Sequence, residues 1–128
     1  MGKHFQRLVR YWLVDCFGVE IANDMTERNH RFLEESIELV QACGCTKSEA
    51  HQLVDYVFDR PVGERFQEAG GVAVTLAGLC SAAFINLEFA AHAELVRIHQ
   101  KMPEIRAKQA AKPKHSPLPE ATPCQQKS

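Results

Sequence analysis

Apolar residues recur at three- and four-residue intervals along most of the chain, and this spacing predicts amphipathic α-helices. A first helix is predicted over residues 5–17, where Trp12 is expected to pack in the core. After a connection over residues 18–24, a second helix is predicted from about Met25 to Ala42, capped by Asn23 or Asp24. The pattern therefore predicts an all-α fold that begins with two amphipathic helices.

Glycine and proline divide the following part of the chain into three further helices. The segment Thr46-Lys47-Ser48-Glu49 matches a capping box and predicts a third helix that ends near Asp59. A fourth helix is predicted over about residues 64–84, and a fifth over about residues 88–102. The expected architecture is an all-α, four- to five-helix bundle with short connections.

The fourth predicted helix contains Gly70 and Gly71 in its interior. Each glycine costs about 1 kcal/mol relative to alanine, and we expect the close approach of another backbone, a side chain or a ligand to offset this cost. Since the helix also has a broad apolar face, it is predicted to be the most buried helix of the bundle.

The composition changes after the fifth predicted helix. Pro103 is expected to kink or end that helix, and beyond Ile105 lysine, arginine and proline replace most apolar residues. These features predict one helical domain over residues 1–107 and an extended, basic, proline-rich C-terminal tail over residues 108–128. Partial disorder is expected beyond about Pro119.

Composition and charge narrow the class of protein. A chain of 128 residues with a formal net charge of −1 is expected to form one domain, and this charge argues against a general nucleic-acid binder. The apolar stretch over about residues 70–84 is too short and too rich in glycine and alanine for a membrane span.

Five cysteines without a signal-peptide core favour reduced thiols and a cytoplasmic location. Cys43-Gly44-Cys45 lacks the second pair that a structural zinc site needs.

Acidic residues cluster on two of the predicted helices. The first cluster occupies one arc of the second helix and consists of Glu34, Glu35 and Glu38. The second cluster lies at the start of the fourth helix and consists of Glu64 and Glu68. A solvated face, with Arg31 paired to Glu27 and Glu35 at four-residue spacing, explains the first cluster on its own. Two such clusters in one bundle can instead hold Mg²⁺ or Mn²⁺, which prefer oxygen ligands and bridge to substrate phosphates.

The basic segment over residues 101–114 can supply cations that bind phosphate groups. The candidate phosphate-binding residues are Lys101, Arg106 and Lys108. The same segment is also compatible with a nucleic-acid adaptor, although the near-neutral net charge argues against that alternative.

Two segments, Glu34-Glu35-Ser36-Ile37-Glu38-Leu39 and Glu68-Ala69-Gly70-Gly71-Val72, resemble the two-part signature of the MazG-like all-α nucleoside triphosphate pyrophosphohydrolases. That signature is Glu-Glu-x-x-Glu followed, after a helical connection, by Glu-x-x-Asp. The resemblance covers about residues 27–79, and the whole chain is also similar to small MazG-like proteins of phages and prophages. The first motif alone is common in acidic helices, whereas the pair at this separation is more specific.

The resemblance implies a MazG-like helical bundle, usually a homodimer or higher homo-oligomer, with a magnesium-dependent site. Its members hydrolyse (d)NTPs to (d)NMP and pyrophosphate by attack of an activated water. By the motif match, Glu35 and Glu38 would be metal ligands and catalytic residues with support from Glu34, and Glu68 would join them from the second motif.

The chain departs from the signature at its last position, where Gly71 replaces the aspartate. Glu64, one turn before Glu68, or Asp55 from the preceding helix could supply the missing ligand. Alternatively, the chain is a non-catalytic MazG-like module that binds a nucleotide or a protein.

Overall fold

A computed structural model describes residues 3–118, which form seven α-helices and no strand. In chain order the helices are α1 (Lys3–Phe17), α2 (Val19–Ala22), α3 (Met25–Ala42), α4 (Lys47–Phe58), α5 (Arg65–Ala82), α6 (Leu87–Gln100) and α7 (Met102–Ala111). The all-α prediction is therefore confirmed for the described part of the chain. The five helices predicted from apolar periodicity correspond to α1, α3, α4, α5 and α6, with ends that differ from the predicted ones by a few residues at most.

Two segments that the sequence pattern predicts to be irregular are helical. The connection after α1 contains the single turn α2, and the start of the predicted extended tail forms α7. Pro103 lies in the first turn of α7, where its missing N–H removes no intrahelical hydrogen bond. It therefore helps to begin a new helix, and the predicted boundary after residue 107 falls inside α7. The disorder predicted beyond about Pro119 lies outside the described residues.

Side-chain and backbone caps define the ends of the helices in the middle of the chain. Thr46 Oγ1 accepts a hydrogen bond from the Glu49 backbone N–H at 3.1 Å, and the Thr46 N–H donates to Glu49 Oε1 at 2.9 Å. The predicted capping box of α4 is thus confirmed. At the end of α3, Gly44 adopts a φ of 93°, and the Cys45 N–H donates to the Val40 carbonyl at 2.9 Å. This geometry is a glycine C-cap, as the sequence predicts.

The described chain divides into two compact units. The first unit contains residues 3–33 and 91–118, and the second contains residues 34–90. Helices α3 and α6 contribute residues to both units.

The first unit has a small apolar core formed by α1, α6 and α7. Trp12, Cys16 and Leu95 are buried at its centre, and the Trp12 and Phe17 rings pack edge to face with centroids 5.6 Å apart. Partly buried residues that surround this centre are Phe5, Leu8, Val9, Leu13, Phe17, Ile98, Met102 and Ile105. The predicted core position of Trp12 is confirmed.

The second unit leaves most of its apolar side chains exposed. Within residues 34–90 only Cys80 is buried, and every residue from 51 to 75 is exposed. Neither α4 nor α5 packs extensively on another helix of the described chain. The prediction that α5 is the most buried helix is therefore wrong, because no helix within residues 3–118 packs extensively on its apolar side chains.

Among residues 3–118, no individual helix is both long and apolar enough to cross a membrane, although α5 and α6 reach that length and composition together as a bent pair.

Candidate functional site

The first acidic motif lies on an uninterrupted part of α3. Glu34 is half-buried, whereas Glu35 and Glu38 are exposed. Because α3 is regular over its whole length, the three carboxylates occupy one arc of the helix, as the sequence predicts. Glu34 and Glu35 also contact other groups of the protein. The three glutamate positions therefore share one side of α3.

In the second acidic cluster, Glu64 is the N-cap residue of α5. Its two carboxylate oxygens accept hydrogen bonds from the backbone N–H groups of Phe66 at 3.0 Å and Gln67 at 2.9 Å. These bonds favour the charged form and hold the pKa of Glu64 below its ordinary value of 4.5. The negative charge also interacts favourably with the N-terminal end of the helix. Glu64 therefore stabilises the start of α5, whatever further role its exposed carboxylate has.

Glu68 lies in the first turn of α5, with its carboxylate directly against the backbone of Gly63. A β-carbon at position 63 would lie too close to Glu68 Oε1, and the exposed, flexible Glu68 side chain would have to move to accept it. Gly71, which replaces the aspartate of the signature, has open space around its α-carbon. The second cluster thus contributes two exposed carboxylates, one of which already accepts hydrogen bonds from the backbone.

Within residues 3–118, no group of three or more histidine, cysteine, aspartate or glutamate side chains is arranged to hold a metal ion. The structure therefore does not bring the glutamates of the two motifs into one coordination sphere within a single described chain. Their carboxylate oxygens are the ligand type that Mg²⁺ and Mn²⁺ prefer. The role of Glu34, Glu35, Glu38, Glu64 and Glu68 as metal ligands stays a prediction.

The three predicted phosphate-binding residues differ in their surroundings. The Arg106 guanidinium donates hydrogen bonds to the Cys16 carbonyl at 2.9 Å and the Asp15 carbonyl at 3.0 Å. These carbonyls belong to the last turn of α1, so Arg106 satisfies the C-terminal end of that helix. Lys101 and Lys108 are exposed. Of the three candidates, Arg106 is therefore the one whose charged group already stabilises the end of a helix.

The most buried charged side chain of the first unit is that of Glu27, which lies outside both acidic motifs. Glu27 of α3 is only 2% exposed, and its carboxylate lies 2.8 Å from the Nζ atom of Lys112, which is itself 4% exposed. Arg31 Nε lies 3.2 Å from the same carboxylate. The predicted Glu27–Arg31 pair is thus confirmed, but it belongs to a buried ionic cluster rather than to a solvated face.

The segment over residues 112–118 follows the N-terminal part of α3 through polar contacts. The Arg31 guanidinium donates to the Pro117 carbonyl at 2.6 Å, and His115 Nε2 lies 3.1 Å from Asp24 Oδ2. Asp24 also caps α3 by accepting a hydrogen bond from the Glu27 N–H at 3.2 Å. That bond is the largest cause of the lowered pKa of Asp24, and the neighbouring His115 contributes to it. The basic end of the described chain is therefore anchored to the helix that carries the first acidic motif.

Comparison with known proteins does not assign this chain to a family or a function. No protein-family model, no curated protein and no solved structure matches this chain. The resemblance to the MazG-like enzymes therefore stays a prediction from the sequence.

The lowered pKa of Glu64 predicts a dependence of α5 on pH. Because the pKa in the folded chain lies below the ordinary value of 4.5, the stabilisation by this cap is complete above that value and is lost as the pH falls through the folded pKa. We expect a ¹³C NMR titration of the glutamate carboxyl groups to give a Glu64 pKa below 4.5. In Glu64→Gln, α5 should lose this acid-dependent change in helicity. A Glu64 carboxyl that titrates at its ordinary value would show that the cap does not persist in solution.

Proposed function

We propose that the chain is a nucleoside triphosphate pyrophosphohydrolase that depends on Mg²⁺ or Mn²⁺ and converts a (d)NTP and water to a (d)NMP and pyrophosphate. The observation that supports this proposal most directly is the arc of Glu34, Glu35 and Glu38 on a regular helix, together with Glu68 in the first turn of α5. Both sets of carboxylates belong to the second unit. Their order and spacing along the chain are those that resemble the MazG-like signature.

In this proposal the glutamates have separate roles. Glu35 and Glu38 bind the metal ion with support from Glu34, and Glu68 adds an oxygen ligand from α5. A bound Mg²⁺ would neutralise charge on the substrate phosphates and polarise a phosphoryl oxygen. Because a single described chain does not group these carboxylates, the complete site requires side-chain rearrangement or carboxylates from another copy of the chain.

The phosphate-binding part of the proposal involves Lys101, Arg106 and Lys108, whose side chains are all exposed. Arg106 differs from the two lysines because two backbone carbonyls of α1 accept hydrogen bonds from its guanidinium, which leaves its remaining N–H donors for a phosphate. Replacing Arg106 is therefore expected to disturb the end of α1 before it affects any substrate.

The activity is tested by measuring pyrophosphate release from a panel of canonical and modified (d)NTPs with Mg²⁺ or Mn²⁺. We expect turnover of at least one nucleotide, and a decrease of about 100-fold or more in Glu38→Gln, because loss of a metal ligand removes several kcal/mol of transition-state stabilisation. Glu20→Gln is a matched control, since Glu20 is an exposed glutamate of α2 outside both motifs. Absence of turnover on the whole panel, or equal turnover in Glu38→Gln and the control, would contradict the proposal.

A second candidate function follows from Gly71. Without the final aspartate of the signature, the chain would be a module that binds a nucleotide or a protein without hydrolysis. The open space around Gly71 means that an aspartate can be introduced there without a steric clash within the described chain. Nucleotide-dependent thermal stabilisation of the natural chain without product, combined with pyrophosphate release by Gly71→Asp, would favour this second function.

A further inference from the structure

The second unit contains all the glutamates of the proposed site but few cations. Its acidic residues outnumber its basic ones by nine to three, and the basic residues are Lys47, Arg60 and Arg65. The phosphate-binding candidates Lys101, Arg106 and Lys108 belong to the first unit. A surface with an excess of negative charge repels a phosphate chain unless cations lie beside it. Along the chain, the cations closest to Glu64 and Glu68 are the two arginines of the second unit.

The side chain of Arg60 is held in a defined orientation although it is exposed. Its guanidinium lies over the Tyr56 ring, with Cζ 4.2 Å from the ring centroid, and Nη1 donates a hydrogen bond to Tyr56 Oη at 3.3 Å. The planar guanidinium has several further N–H donors in a rigid fork that matches the oxygens of a phosphate. Because the fork is already oriented, binding a phosphate costs less conformational freedom than with a mobile cation.

Neither Arg60 nor Arg65 forms an ion pair with a carboxylate within residues 3–118. Both side chains are exposed. Arg97 of α6 is different, because its Nη2 lies 2.6 Å from Glu94 Oε1. The charges of the two arginines of the second unit are therefore available to an anion from solution.

The turn over residues 59–64 keeps the arginines and the carboxylates in one region of the chain. The Glu68 carboxylate lies against the backbone of Gly63, which is three residues after Arg60. Since a chain extends by at most about 3.6 Å per residue, the α-carbons of Arg60 and Gly63 lie within about 11 Å of each other. A long arginine side chain and a chain of phosphates can together bridge this separation.

The first turn of α5 has already used two of the backbone donors that helix N-termini offer to phosphates. The Glu64 carboxylate accepts hydrogen bonds from the N–H groups of Phe66 at 3.0 Å and Gln67 at 2.9 Å. Side-chain cations are therefore the remaining means of holding a phosphate at this turn. Guanidinium groups suit this task because they form two parallel, charge-assisted hydrogen bonds to one phosphate.

We propose that Arg60 and Arg65 bind the phosphates of an oligophosphate ligand beside Glu68, and that Tyr56 positions the Arg60 guanidinium. The identity of this ligand as a (d)NTP rests on the proposed function, whereas the same arginines would bind inorganic tripolyphosphate by the same chemistry. In the proposed reaction the arginines hold the substrate equally before and during the chemical step. Their contribution is therefore expected in KM rather than in kcat.

Binding of inorganic tripolyphosphate to the full chain, measured by isothermal titration calorimetry with Mg²⁺ present, tests the arginines. We expect Arg60→Gln and Arg65→Gln each to raise the dissociation constant by about tenfold, because each loses a charge-assisted contact. Arg97→Gln is the matched control, since it removes the same charge from an arginine that is paired with Glu94, and it should bind like the natural chain. No binding to the natural chain, or equal binding by all three variants, would overturn the proposal.

Kinetics with (d)NTPs distinguish this proposal from the proposed hydrolase activity. In a chain that turns over a (d)NTP, Arg60→Gln should raise KM by about tenfold and change kcat by no more than about twofold. Turnover with an unchanged KM in both arginine variants would reject the arginines and leave the hydrolase activity intact. Arginine-dependent binding of tripolyphosphate without turnover of any (d)NTP would instead support the arginines and contradict the hydrolase activity.

Two substitutions of Tyr56 test its positioning role. Tyr56→Phe keeps the ring beneath Arg60 and loses only the hydroxyl contact, whereas Tyr56→Leu removes both. Tyr56→Leu should weaken tripolyphosphate binding by about threefold, and Tyr56→Phe by less, because an exposed cation–π contact makes a modest contribution. Tyr56 is 58% exposed, so both variants should keep the helicity of the natural chain in circular dichroism. Equal affinities of the two folded variants would reject the positioning role.

Discussion

Replacing Lys112 with methionine is expected to lower the free energy of unfolding by about 3–5 kcal/mol, because the change leaves a buried carboxylate without its nearest cation. Lys112 Nζ lies 2.8 Å from Glu27 Oε2, and both side chains are less than 5% exposed. Arg31 remains at 3.2 Å from the other carboxylate oxygen and would limit the loss. Urea unfolding, followed by circular dichroism, measures the change. Lys114→Met is the matched control, since Lys114 is exposed and its replacement should change stability by no more than about 0.5 kcal/mol.

A double-mutant cycle separates the ion pair from other effects of the substitution. Because Glu27→Gln removes the charge that Lys112 neutralises, the double variant Glu27→Gln with Lys112→Met should be less destabilised than the sum of the two single variants. Such coupling would establish that the C-terminal segment is held on α3 by this pair. Additive effects, or a loss below about 1 kcal/mol in Lys112→Met, would show that the pair is solvated rather than buried.

The helices of this chain are largely predictable from the sequence because their signals are local. Apolar periodicity places α3 over Met25–Ala42, and the Thr46–Glu49 pair marks the start of α4. α7 is missed because proline is interpreted as the end of a helix, whereas Pro103 occupies a first turn, where it is well tolerated. Proline breaks a helix only when it lies in the helix interior, so its position within the helix decides whether it ends one helix or begins the next.

Burial is harder to predict than helicity. The composition of α5 predicts a buried helix, but most of its apolar side chains are exposed in the described chain. Within residues 3–118 only Cys80 of this helix is buried. An apolar face carries no information about which molecule covers it, because the hydrophobic effect is non-directional.

In the candidate site too, features that depend on local contacts are predictable from the sequence, and features that depend on distant contacts are not. The arc of Glu34, Glu35 and Glu38 follows from helix geometry and is visible in the sequence. The burial of Glu27 is not visible in the sequence, because its partner Lys112 lies at the other end of the described chain and no periodic pattern links the two residues. Charged residues are mostly exposed, so the sequence favours a solvated position for Glu27. Its burial is seen only in the folded chain, where Lys112 lies beside it.

Replacing Leu95 with alanine is expected to destabilise the first unit by about 2–5 kcal/mol, because it leaves a cavity beside Trp12 and Cys16. Trp12 is the only tryptophan of the chain and is buried in the same cluster, so its fluorescence reports the unfolding of this unit directly. Leu95 is 8% exposed, whereas the next residue, Val96, is 59% exposed. Val96→Ala is therefore the matched control and should leave the transition within about 0.5 kcal/mol of the natural chain. Equal effects of the two substitutions would mean that α6 does not pack on α1 in solution, since only that packing distinguishes neighbouring positions of one helix.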